Sequence, residues 1–253
     1  MKRSLTTVLL LFFMAGAYAQ TATNLTVRAK AKDAKFIGTS IGGAFVMVED
    51  AMTGELLASG YTTGSTGNTA RIMQEPVERG ATLSDENTAA FETTLRLEAP
   101  KKVTIAVRAP ATHAQAAIEA QTQVWLIPGK HIEGDGIVIE IPGFIVDVLT
   151  PQTHERANAA DADITIRANV VMMCGCPVTE GGMWDASGYE VHALVTSDGK
   201  VVADIPMSIT SKANTFEATV APGQGGVYQV TVYAYDPATG NTGADIENFL
   251  VSK

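Results

Sequence analysis

The sequence is short of cysteine, of aromatic residues and of positive charge, and each shortage excludes something. Two cysteines, Cys174 and Cys176, are too few for the disulfide framework of a small secreted scaffold, so the fold must rest on hydrophobic burial. Aromatics make up 6% of the residues, which disfavours a sugar-binding platform of stacked rings. Beyond residue 19 there are 16 basic against 27 acidic residues, a net charge of −11, with no basic cluster. Such a chain is a poor partner for nucleic acid or an anionic membrane surface. No apolar run reaches the ~20 residues of a membrane-spanning helix. Catalytic spacings give no lead either. His-Glu-x-x-His and a phosphate-binding glycine loop are both missing, and the carboxylates are scattered through turns.

What is present begins with an export signal at residues 1–19. Lys2 and Arg3 precede an apolar core at residues 8–14, and Ala17-Tyr18-Ala19 has the small-x-small pattern of a cleavage site. The mature chain is then expected to start at Gln20 and to be periplasmic or secreted. No cysteine follows the cut to carry a lipid anchor.

The remainder alternates apolar and polar residues between Gly, Pro, Asn and Asp turns, the pattern of an all-β protein. Strands are expected around Leu25–Ala29, Ala44–Glu49, Glu55–Gly60, Phe91–Leu97, Val103–Val107, Val124–Ile127, Ile137–Ile141 and Phe144–Val148. A long polar stretch at residues 62–87 reads as a loop, and residues 111–120 fit a short helix or a strand. The polar segment 151–163 suits a linker. A second series of strands then runs from Ile164 to Val251 through an Asp198-Gly199 turn. Ile164-Thr165-Ile166-Arg167-Ala168 nearly repeats Leu25-Thr26-Val27-Arg28-Ala29, as two related sandwiches would. The expected architecture is two tandem antiparallel β-sandwiches, residues 21–150 and 164–253.

Reactive side chains concentrate in Val170–Tyr189. Cys174-Gly175-Cys176 offers two sulfurs, Met173 and Met183 two thioethers, and His192 an imidazole nearby. As thiolates, the cysteines with these neighbours form a candidate site for Cu(I) or Zn. Three other readings compete: a disulfide, a thiol-redox pair, and plain packing of methionine beside Trp184. In extended chain, Cα atoms two residues apart lie near the ~6.8 Å upper limit for a disulfide, so a bridge here is expected to be strained. Facing outward is the expectation for His192, between Val191 and Ala193 on a strand. Glu133-Gly134-Asp135-Gly136 supplies two carboxylates and reads as a turn rather than a Ca²⁺ loop.

Tyr228-Gln229-Val230-Thr231-Val232-Tyr233-Ala234-Tyr235-Asp236, followed by Gly240-Asn241-Thr242-Gly243, resembles the late strand of bacterial immunoglobulin-like repeats of exported proteins. That resemblance implies a corner tyrosine at Tyr228 bonded back to the backbone. Val46-Met47-Val48-Glu49-Asp50, with Thr53-Gly54-Glu55-Leu56-Leu57-Ala58-Ser59-Gly60 and Thr62-Thr63-Gly64, resembles the prealbumin-like module of carboxypeptidase regulatory domains and surface adhesins. Both resemblances imply a non-enzymatic binding, adhesion or assembly role, with another protein of the cell envelope as partner. The alternative is a periplasmic copper-binding or thiol-redox protein built on Cys174 and Cys176.

Overall fold

The computed structural model describes residues 20–158, 163–221 and 223–252. The expected export signal therefore lies outside the described residues. Among the described residues no helix is long and apolar enough to cross a membrane.

Seven strands form the first unit: β1 (Thr21–Ala31), β2 (Phe45–Asp50), β3 (Leu56–Tyr61), β4 (Phe91–Leu97), β5 (Lys101–Ala109), β6 (Ile118–Leu126) and β7 (Ile132–Ile141). A three-stranded sheet, β4-β1-β7, faces a four-stranded sheet, β3-β2-β5-β6. Alternation in the sequence explains the faces. Val103, Ile105 and Val107 of β5 and Val46 and Val48 of β2 turn inward and are fully buried. Each such side chain contributes roughly 1.5–3 kcal/mol on leaving water. Pairing is antiparallel except between β1 and β7, which run parallel.

Residues 111–120 contain one 3-10 turn, Ala114–Ala116, and then enter β6. The stretch 62–87 is a flap fastened to the outer side of β1 rather than a free loop. Bridges join Thr63 to Ala90 and Ser65 to Thr88, and a short helical turn spans Ala70–Gln74. Arg28 of β1 reaches the chain just beyond the end of this flap. Its guanidinium donates to the carbonyls of Thr88, Ala89 (3.0 Å) and Gly134 (3.1 Å), and the residue is buried. The Asp135 carboxylate accepts from Leu83 N and Ser84 N, both at 2.8 Å.

Among the described residues eleven further strands, several very short, make the second unit: β8 (Phe144–Thr150), β9 (Arg156–Asn158), β10 (Ile164–Met172), β11 (Val178–Thr179), β12 (Trp184–Asp185), β13 (Glu190–Ser197), β14 (Lys200–Pro206), β15 (Ser208–Ile209), β16 (Thr215–Val220), β17 (Gly226–Tyr235) and β18 (Thr242–Ser252). The sheet β15-β16-β10-β8 faces β14-β13-β17-β18-β9. Stripped of short additions this is three strands against four, the arrangement of immunoglobulin-like sandwiches. Asp198 and Gly199, both at positive φ (49° and 72°), make the tight turn between β13 and β14. Tyr228, Val230, Val232 and Ala234 of β17 all face the core, as the alternation predicts. The Tyr228 hydroxyl donates to the Gln224 carbonyl at 2.9 Å, closing the corner expected of it.

Strand pairing moves the expected boundary. Phe144–Thr150 does not close the first sandwich; it pairs with β10 and opens the second. The two units meet at Pro142-Gly143, a joint of two residues. Arg156–Asn158, within the expected linker 151–163, forms β9 and pairs in parallel with the end of β18 inside the second unit, while residues 159–162 lie outside the described residues. β18 accordingly has β9 outside it in the sheet. A strand's alternation reports its faces but says nothing of which neighbour it pairs with, so the sequence pattern alone misplaced β8.

Candidate functional site

The stretch singled out by its sulfur atoms sits at the junction of the two sandwiches. Met172 ends β10, and the chain reverses at once: Gly175 N donates to Met172 O (2.7 Å) and Met172 N to Cys176 O (3.1 Å). Gly175 makes the turn possible at φ 73°, and a Cβ there would lie 2.5 Å from Ile41 Cγ2 of the first unit. Cys174 and Cys176 are joined as a disulfide and are buried, at 1% and 5% exposure. Their Cα atoms are 5.3 Å apart, within the ordinary range, because the chain is folded here and not extended. The expectation from extended chain is corrected on that point.

Contacts across the junction are specific. Trp184 Nε1 donates to the Asp33 carbonyl at 2.9 Å. Lys32 Nζ donates to Thr239 O at 2.7 Å. Asn241, with no exposed surface, accepts from Gly143 N (2.9 Å) and donates to Lys32 O (3.2 Å). The loop that presents Asn241 is held by Asp236, which accepts from Ala238 N (2.8 Å) and Thr239 Oγ1 (2.5 Å). Tyr189 packs edge-on against Phe144 at 5.0 Å, and its hydroxyl lies 3.7 Å from Met172 Sδ.

Partial burial shifts the proton affinity of several groups around the junction. Burial, reinforced by Asp236, Asp33 and Asp185, pushes the Tyr189 phenol up to about 12. Asp33 is raised above its ordinary value, chiefly by burial and next by the Asp236 charge. Burial lowers Lys30, against the opposing pull of Glu140 and Asp33. Alongside runs a groove of about 540 Å³ lined by Gln115, Ile118, Met173, Tyr233, Tyr235 and Ala244, drawn from both units.

No protein-family model matches the chain, and no curated protein matches it. Several solved structures match. One is an engineered protein at 21% identity and a TM-score of 0.34, matched over 47% of this chain and 22% of that one. Fibronectin(III)-like modules of CbhA from Clostridium thermocellum are similar at 14% identity and a TM-score of 0.30, over 91% and 94% of the two chains. A DUF3823 family protein from Bacteroides uniformis shows 12% identity and a TM-score of 0.29, over 90% and 100%. The fold class rests on the strand pairing described above and not on these matches.

The five expected ligand residues have separate surroundings. Cys174 and Cys176 are bonded to each other and in this state offer no thiolate. Met173 is buried against the joint at Gly143, whereas Met183 is 45% exposed. His192 faces outward on β13, as expected; its Nδ1 lies 2.9 Å from Asp204 Oδ1 and its ring stacks on Tyr233. Among the described residues no group of three or more His, Cys, Asp or Glu side chains is placed to hold a metal ion.

A Gly-x-Ser-x-Gly spacing was expected to be absent, but Gly38-Thr39-Ser40-Ile41-Gly42 has it. In the structure Thr39–Ile41 is a single 3-10 turn, without the strand-to-helix elbow that exposes a nucleophile. Ser40 is on the surface with no hydrogen bond to a histidine or carboxylate among the described residues. Reading also missed Asn241, Lys32 and Asp33, whose partners lie about a hundred or more residues away in sequence. The one local signal was a polar Asn in a Gly-Asn-x-Gly turn.

Proposed function

We propose that the chain is a non-enzymatic binding or assembly module of the cell envelope, exported and working as a stiff two-sandwich unit. The locked junction carries this reading. Domains in one chain move relative to each other by default unless the interface between them is extensive. Here a two-residue joint is reinforced by Asn241, Lys32 and Trp184, each bonded across it. A unit of this kind holds the loops at its two ends at a set distance and angle. That property serves presentation and assembly. The cysteines act in this account as a staple for the turn that meets Ile41, and not as metal donors.

The test combines fractionation with cross-linking in cells. The chain is expected in the periplasmic or surface fraction and in a discrete cross-linked complex with one envelope protein. Weakening the junction with Asn241→Ala is expected to diminish that complex. About one copper or zinc per chain, with thiols blocked until the metal is chelated, and no cross-linked partner, supports the copper alternative and overturns the module reading.

A further inference from the structure

Edge strands offer unpaired backbone groups to other chains, and folded proteins blunt them with bulges, charges or proline. Four long edge strands of this molecule, β3, β7, β8 and β14, carry a register shift in their pairing. β14 also ends in Pro206, and β4, which has no shift, carries Glu92 and Arg96 within seven residues. β6 has neither a register shift nor a proline. It pairs with β5 over nine consecutive residues without a shift and has one charged residue, Glu119. Its outer edge makes no backbone hydrogen bond to another described residue. Exposed apolar side chains crowd this edge: Trp125 at 61%, Ile118 at 41% and Ile127 at 40%.

We propose that β6 pairs with β6 of a second copy, antiparallel, to give a dimer with a continuous eight-stranded sheet. The strand is complementary to itself. The register that uses all nine residues is centred on Thr122, opposite its own copy. It sets Gln121 against Gln123, Ala120 against Val124, Ile118 against Leu126 and Glu119 against Trp125. No like charges meet; a threonine pair, a favourable cross-strand neighbour, occupies the centre, flanked by two uncharged glutamine pairs. Within one chain Lys102 lies beside Trp125 and Arg108 beside Glu119. Across the interface the outer face therefore reads Lys102, Trp125, then Glu119 and Arg108 of the second copy, so the carboxylate keeps its own Arg108 beside it and meets the apolar Trp125 rather than another carboxylate. The inference goes beyond the module reading and does not depend on it.

Sedimentation velocity on the mature chain over the micromolar range tests the dimer. Gln121→Lys with Gln123→Lys places like charges opposite twice, at exposed positions that leave the fold intact, and is expected to give a monomer. Gln121→Lys with Gln123→Glu restores opposite charges and is expected to recover the dimer. Three results overturn the proposal: a monomeric parent chain, a dimer indifferent to the double lysine change, or no recovery in the charge-swapped chain. An unchanged dimer would place the interface on another surface.

Discussion

Asn241 Oδ1 accepts from Gly143 N at 2.9 Å, so a turn residue of the second sandwich is bonded to the joint between the two. The other end of the same carboxamide donates to Lys32 O in the first sandwich. One fully buried side chain thus satisfies a backbone donor and a backbone acceptor that lie about a hundred residues apart. Asn241→Ala leaves both without partners and out of reach of water, a cost of about 2–4 kcal/mol. Urea unfolding is expected to show a lower midpoint, with an extrapolated stability smaller by that amount. Asn241→Asp keeps the acceptor for Gly143 N but loses the donor and faces the Lys32 carbonyl, so it is also expected to destabilise.

Two arginines in nearly repeated sequence give the next prediction. Arg28 is buried and bonded to three carbonyls, while Arg167 is exposed on β10 and pairs with Glu217. Arg28→Met strands those carbonyls and frees the flap, for a loss of about 3 kcal/mol. Arg167→Met removes a surface pair worth at most about 1 kcal/mol. Amide exchange should rise across residues 82–90 in the first variant and stay unchanged there in the second.

These two arginines also show how far the sequence could be read. The alternation of Leu25, Val27 and Ala29, and of Ile164, Ile166 and Ala168, marks both strands and their inner faces correctly. Nothing local says that the outer face of β1 is covered and that of β10 is not, because the cover comes from residues 82–90 and 134. The same limit explains β8: its period of two is plain, but its partner strand is a non-local fact. The sulfur cluster was legible as a dense group of soft side chains. Its disulfide depended on the turn at Gly175 and on the approach of Ile41. Asn241 looked like any turn residue. What the sequence shows well is periodicity and turn chemistry; what it hides is which surfaces meet.

The pH dependence of stability contains two opposing terms. Burial, then the Asp236 charge, holds Asp33 above 3.8, so the folded state favours its protonated form. That contribution is complete below the ordinary carboxylate range and is lost as pH rises through the folded value. Asp33→Asn, which keeps the backbone carbonyl used by Trp184, is expected to be more stable than the parent at pH 7. Part of Asp33 remains in water, so the gain is about a few tenths of a kcal/mol and shrinks on acidification. Asp135 is the opposite case. Burial pushes it up, but hydrogen bonds from Ser84 and Leu83 and the Arg28 charge outweigh that and hold it below 3.8. Its contribution is present above 3.8 and is lost as pH falls through the depressed value. Asp135→Asn should therefore weaken the fold at pH 7 and converge with the parent in acid. Unfolding midpoints of the three proteins at pH 7 and in acid check both signs.

The disulfide closes a loop of three residues, so it removes little entropy from the unfolded chain. Loop-closure arithmetic for so short a loop gives about 1.5 kcal/mol, below the usual stabilisation by a disulfide. Replacing Cys174 and Cys176 together by serine is expected to lower stability by that order and to leave the fold intact. The loss should centre on the junction, because the turn held by the bridge is the one that seats Gly175 against Ile41. Tryptophan fluorescence reports on it directly, since Trp184 donates across the same junction while Trp125 lies on the exposed edge of the first sandwich. The expected signature is a red shift in the double serine variant that disappears when Trp184→Phe is added. A variant that instead unfolds outright would make the bridge a condition of folding, and a variant that loses a bound metal would return the sulfurs to the role of ligands.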